Sequence, residues 1–168
     1  MPKLIKNNAI VDDSWQVVRL AEGETPESVA LPDGDLIVPF KVWKARRADL
    51  LARPQIGVWL APDETANDIA TDLKHLKVVA IDFPQFVDGR GYSTAALLRT
   101  RYGWSGELRA IGDVLRDQLF YMHRVGFDAY AIRADKDIAN ALEALNDFSE
   151  SYQSDVNEPL PLFRRRHA

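Results

Sequence analysis

Between residues 35 and 148 short apolar runs alternate with stretches whose apolar residues recur every three or four positions. The runs are Leu36 to Phe40, Ile56 to Ala61, Val78 to Phe83, Leu108 to Ile111 and Ala129 to Ile132. They begin near Asp35, Ile56, Lys77, Glu107 and Asp128, at intervals of 21, 21, 30 and 21 residues. Runs this short and continuously apolar suit strands buried on both faces. Between them lie the stripes Ile69, Leu73, Leu76; Ala95, Leu98, Tyr102; Leu115, Leu119, Met122; and Ile138, Leu142, Leu145, Phe148. Each is the buried side of an amphipathic helix. Thr65, Ser93, Asp113 and Asp135 stand where N-caps belong, and Gly103 and Gly126 where helices should stop. A further helix near Val42 to Leu51 has its stripe broken by Arg46 and Arg47.

The pattern predicts an α/β fold of five βα units with a mainly parallel sheet. Right-handed crossovers leave two architectures, an open flavodoxin-like sheet, which is favoured, or half of a βα barrel that closes by forming a homodimer. Leu4 to Arg19, broken at Asn7-Asn8 and Asp12-Asp13, reads as an N-terminal β-hairpin on the sheet edge. The chain therefore divides into a hairpin over 1–20, a βα core over 35–150 and a flexible or docking tail over 151–168, within one domain. In either architecture the loops leaving the carboxyl ends of the strands share one edge, where ligands normally sit.

Composition sharpens that edge. Between Phe83 and Arg133 lie seven arginines, no lysine and six of the nine glycines. Arginine grips oxyanions through a planar fork that lysine lacks. Seven arginines against five acids make this stretch +2 and leave −6 elsewhere, for a total of −4. An acidic chain disfavours a nucleic-acid partner, and a mildly cationic patch on it suits a small anion. The absence of cysteine excludes thiolate metal sites, iron–sulfur clusters and cysteine nucleophiles. His75, His123 and His167 are scattered, so no zinc site and no Ser-His-Asp triad is expected. No apolar run is long enough for a signal peptide or a membrane span, which implies a cytoplasmic protein without a membrane partner.

The candidate ligand residues follow from this edge. Asp88, Gly89, Arg90, Gly91, Tyr92 and Ser93 lead into a helix, where glycine amides and the Arg90 fork can meet an anion. The alternative is a tight turn capped by Ser93. Glu107 and Arg109 share one strand face, as a salt bridge or with Arg109 as a substrate clamp beside Arg116 and Arg133. Asp113 and Gln118 open the following helix, and Asp82, Asp88 and Asp113 are the oxygen ligands that could meet on a cation, although capping accounts for Asp113. Phe83, Phe86, Tyr92, Trp104, Phe120, Tyr121, Phe127 and Tyr130 crowd the same region, as core, flavin pocket or protein interface.

The words FVDGRGYS, LLRTRYG, GELRAIGDVLRDQL, RVGFDAYAIR and ALNDFSESYQ resemble an uncharacterised bacterial family catalogued as domain of unknown function 934. Its members are labelled as oxidoreductases of sulfite reduction. The resemblance implies a place in assimilatory sulfate reduction beside the sulfite reductase haemoprotein, and it supplies no catalytic residue. Three functions follow as expectations. The first is an accessory protein that binds sulfite, sulfate or the reductase. The second is an oxidoreductase with a noncovalent flavin, motivated by the flavodoxin-like order and the density of aromatic residues. The third is a non-catalytic interaction module.

Overall fold

The computed structural model describes residues 1–85, 87–146 and 155–165. Its strands are β1 (Lys3–Lys6), β2 (Ala9–Asp12), β3 (Gln16–Val17), β4 (Leu36–Pro39), β5 (Ile56–Leu60), β6 (Val78–Phe83), β7 (Glu107–Gly112) and β8 (Ala129–Tyr130). The helices are α1 (Phe40–Ala45), α2 (Arg47–Leu51), α3 (Ala66–Ile69), α4 (Arg90–Thr100), α5 (Arg116–Arg124), α6 (Ile138–Ala144) and α7 (Leu162–Arg165), with a 3-10 turn over Ala70–His75. All five expected strands are present, within two residues of their predicted ends. The doubtful first helix is two short ones, broken at Arg46, which has φ −124°.

The strand order is β2-β1-β8-β7-β6-β5-β4-β3, and β3 to β8 are all parallel. A flavodoxin-like sheet requires this order to reverse at a switch point. It never reverses, so the favoured architecture gives way to the barrel alternative: a curled half-barrel of eight strands, more than the five units read from the pattern. Consecutive parallel strands with right-handed crossovers keep their helices on one side of the sheet.

The N-terminus does more than form an edge hairpin. β1 and β2 pair across Asn7-Asn8, both at positive φ, and β1 lies antiparallel on β8. The chain then continues through Asp13, Ser14 and Trp15 directly into β3, on the opposite edge. Seven spacings in a flat sheet would separate these edges by about 33 Å. The link from Asp12 to Gln16 reaches about 14 Å at most. Curling makes the connection possible, and the extended N-terminal run meets both edges: Asp13 N–H donates to Pro2 and Gln16 N–H to Asp35.

Alternation of side chains gives the sheet two unlike faces. The helix side is apolar: Val38, Val58, Leu60, Val79, Ile81, Leu108 and Tyr130 pack with Trp43, Ile69, Leu98, Leu119 and Met122. The inner side carries a smaller cluster, Ile37, Val78, Ala80 and Ile111, under Trp15, Trp59 and Ala131. Arg109, Glu107 and Asp82 are buried on that same side.

The helix ends correct three cap expectations. Thr65 does precede α3, but Ser93 lies inside α4, whose N-cap is Gly89. The caps of α5 and α6 are Leu115 and Asp137, two residues beyond the expected Asp113 and Asp135. At α6 Asp137 accepts from the Ala139 and Asn140 amides. At α5 Gln118 reaches back to accept from Leu115 N–H. Gly103 and Gly126 follow their helices at positive φ, as expected. Phe86, Phe148 and part of the predicted tail, residues 151–154 and 166–168, lie outside the described residues.

Candidate functional site

The tips of β6, β7 and β8 are neighbours, with Phe83 in register with Gly112 and Ala110 with Tyr130. The loops holding Asp88 to Ser93, Asp113 and Arg133 thus leave one side of the half-barrel. Gly112 sits at φ +91°, and a Cβ there would lie 2.5 Å from the Phe83 carbonyl, so only glycine lets β7 turn this close to β6.

The candidate arginines spend their donors inside the protein. Arg90 Nε and Nη2 clasp Asp88 at 3.1 and 2.8 Å, and this partner lowers the Asp88 pKa. Arg133 bridges Asp113 at 3.0 Å and both oxygens of Asp135 at 3.0 Å, which raises its own pKa. Arg116 donates to Asn140 Oδ1 at 2.8 Å. Arg99, outside the candidate set, is pinned to the carbonyls of Trp104, Gly106 and Gly126.

Arg109 is not at the strand tips at all. It is 1% exposed on the inner face, with Nε on Glu107 at 2.7 Å and Nη1 on Asp13 at 2.9 Å. Lys6 completes the group by meeting the other oxygen of Glu107 at 2.7 Å. Of the two readings of this charged strand face, the salt bridge is the observed one, since two carboxylates occupy the Arg109 fork. Such a group, two cations and two anions, satisfies itself and is costly to break.

The glycine-rich turn packs rather than cradles. Gly91 is buried in the first turn of α4, and a Cβ there would lie 2.7 Å from Ile81 and 2.8 Å from the Phe83 ring. The missing side chain brings the helix onto β6. Gly89 is exposed, and Ser93 faces a depression of about 410 Å³ shared with Asp63, Glu64, Arg90, Thr94 and Leu97. Tyr92 packs between Phe83, tilted at 5.3 Å, and Tyr121, edge-on at 5.0 Å, and burial raises its phenol pKa. Tyr121 is half exposed and Val87 is 81% exposed.

Asp82, Asp88 and Asp113 do not converge on a cation. Each faces its own arginine, respectively Arg19, Arg90 and Arg133, and no metal-binding group of three ligands occurs among the described residues. No helix among them is long and apolar enough to cross a membrane.

Sequence reasoning missed Arg19 and Trp59. Arg19 follows β3 and binds Asp82 through both terminal nitrogens, at 2.9 and 3.3 Å, with its guanidinium carbon 4.9 Å from the centre of the Trp59 ring. Trp59 is held in turn by its indole N–H on Val18 O at 2.9 Å. Arg19 lies in the N-terminal run, where no periodicity or motif marks it. Only the alternation placing Trp59 and Asp82 on one sheet face hinted that a charge would be met there.

The family model described as "Bacterial protein of unknown function (DUF934)" matches residues 57–163. The chain belongs to that family. The matched span takes in every edge loop from β5 to β8 and the inner-face charges Asp82, Glu107 and Arg109, while their partners Arg19, Lys6 and Asp13 precede it. No curated protein and no solved structure matches the chain.

Proposed function

We propose that this member of the family is an accessory protein of assimilatory sulfite or sulfate reduction that acts by docking its strand-end edge on the sulfite reductase haemoprotein. The pathway comes from the family resemblance; the mode of action rests on one observation. The edge arginines Arg90 and Arg133 are neutralised by Asp88, Asp113 and Asp135, while Val87, three residues before Arg90, and Tyr121, edge-on to Tyr92, stay exposed. Sulfite or sulfate at Arg90 or Arg133 would meet a fork already neutralised by carboxylates and, among the described residues, no aromatic ring that holds the guanidinium in place. A protein surface of complementary charge need not displace those carboxylates, and arginine with aromatic side chains is the usual make-up of interface hot spots.

Co-purification from the native source with mass spectrometry tests the reading. The reductase should be retained by the native chain and lost with Val87→Glu or Tyr121→Glu. Failure of the native chain to retain it removes the proposal. The flavin-dependent oxidoreductase is a separate reading that keeps the aromatic density and the family resemblance but loses the flavodoxin-like order it also drew on. Flavin absorbance that survives gel filtration after addition of excess cofactor would establish it, and a colourless protein would remove it.

A further inference from the structure

One guanidinium on the inner side of the strand ends differs from all the candidates above. Arg90 lies on its own local carboxylate, Arg133 is shared between two, and Arg109 is closed off from solvent. Arg19 is held just as firmly and is about as exposed as Arg90 and Arg133, at 49% against 63% and 40%, but of these arginines it alone lies over an aromatic ring among the described residues. Its two bonds to Asp82 use one N–H on each terminal nitrogen. The remaining three, including Nε–H, bond nothing among the described residues.

Three neighbours fix its geometry. Asp82 is buried at the end of β6 and grips the fork from one side. The Arg19 guanidinium carbon lies over the Trp59 ring, 4.9 Å from its centre, and the indole N–H is itself anchored on the Val18 carbonyl. Gly112 leaves the room in which Asp82 sits: a Cβ there would stand 2.7 Å from Asp82 Oδ1. A guanidinium clamped by a carboxylate and an aromatic ring loses little further freedom on meeting a second acceptor, which is how binding sites prepare arginine for planar or tetrahedral oxyanions. Its place, on the inner side of the C-terminal ends of parallel strands, is where βα folds take their ligands.

We infer that Arg19, oriented by Asp82 and Trp59, is a recognition site for a small oxyanion, a carboxylate or a sulfur oxyanion. The Asp82 charge cancels that of Arg19, so directed hydrogen bonds rather than net attraction carry the binding, and affinity should be on the order of millimolar for a lone anion. This assignment is independent of docking at Val87 and Tyr121.

The fold supplies its own control. On the helix side Arg47 binds Asp72 Oδ1 at 2.8 Å, lies 5.9 Å from the Trp43 ring and has a 45% exposed side chain, away from the strand ends. The experiment follows the arginine Nε–H resonances of the full-length, nitrogen-15-labelled protein during titration with sodium sulfate and, separately, sodium succinate, at constant ionic strength. Arg19→Lys and Arg47→Lys identify the two signals. A saturating shift at Arg19 with no saturation at Arg47 supports the site, and the arm that saturates gives the ligand class. Arg19→Lys should weaken binding at least tenfold, read from backbone amides of Trp59 and Asp82, and Val87→Glu should leave it intact. Equal, non-saturating drift at both arginines with both salts overturns the inference. If Arg19→Lys does not fold, Gly112→Ala, which displaces Asp82, provides the second variant and must also weaken the Arg19 response.

Discussion

Leu108 and Arg109 are consecutive residues of β7, both fully buried, and they face opposite ways into different physics. Leu108 joins the apolar packing beneath the helices, where stability comes from area removed from water and from close fit. Arg109 enters an inner face where Glu107, Asp13 and Lys6 balance it. The first kind of burial tolerates small errors of shape in proportion to the space left behind. The second is all or nothing, because removing one partner strands the others in a medium that cannot solvate them.

The largest effect should come from Arg109→Met, which leaves Glu107 and Asp13 short of a partner and should cost about 4 kcal/mol. Urea unfolding measures the loss. Adding Glu107→Gln and Asp13→Asn should recover most of it, and failure of that rescue would mean that the inner face is held by packing like the outer one. Leu108→Ala should cost about 3 kcal/mol through the cavity it opens, and the same charge-removing changes should bring no recovery. Gly91→Ala tests the helix side from the opposite direction, by overfilling it. The added methyl meets Ile81 and Phe83, and after a helix-propensity gain of roughly 1 kcal/mol a net loss of about 1 to 2 kcal/mol should remain in thermal unfolding.

The smallest effect concerns pH. Asp128 accepts from Leu108 N–H at 2.8 Å and lies 3.4 Å from Arg99, and burial raises its pKa above the ordinary carboxylate value. A carboxyl with a raised pKa in the folded state holds its proton there longer than in the unfolded chain. Its contribution is therefore favourable at low pH and declines as pH rises from the unfolded value near ~3.9 through the folded one. Asp128→Asn should flatten that part of the stability profile, which begins at the unfolded value and extends above it. An unchanged slope would show that Arg99 and the Leu108 amide offset the burial.

Much of this contrast was legible in the order of residues. Continuous apolar runs marked β4 to β8, and Glu107 with Arg109 could be placed on one face because side chains alternate along a strand. Their partner Asp13 could not, since it lies 96 residues from Arg109 and meets it only after the sheet has curled. Strand order was hidden for a similar reason. A local pattern specifies which residues are buried, whereas the choice between a reversing and a consecutive order depends on how distant units stack. At the helix starts Asp113 and Asp135 had the right chemistry for caps, but both are drawn to Arg133, and their helices begin two residues later. Arg90 was correctly placed at the edge, and its pairing with Asp88, two residues earlier, was the cost of the same local crowding that made the loop conspicuous.

The link Asp13-Ser14-Trp15, which carries the chain from one sheet edge to the other, bears on how the protein can be cut. A fragment trimmed to residues 57–163 would retain Asp82, Glu107 and Arg109 but discard Arg19, Lys6 and Asp13, along with β1 to β4. Expressed alone, it would open an electrically unbalanced inner wall to water and expose raw strand edges on both sides, an invitation to aggregate. The stretch that family members share is thus a span of likeness and not a separable folding unit, and any work with shortened versions has to begin at the first strand.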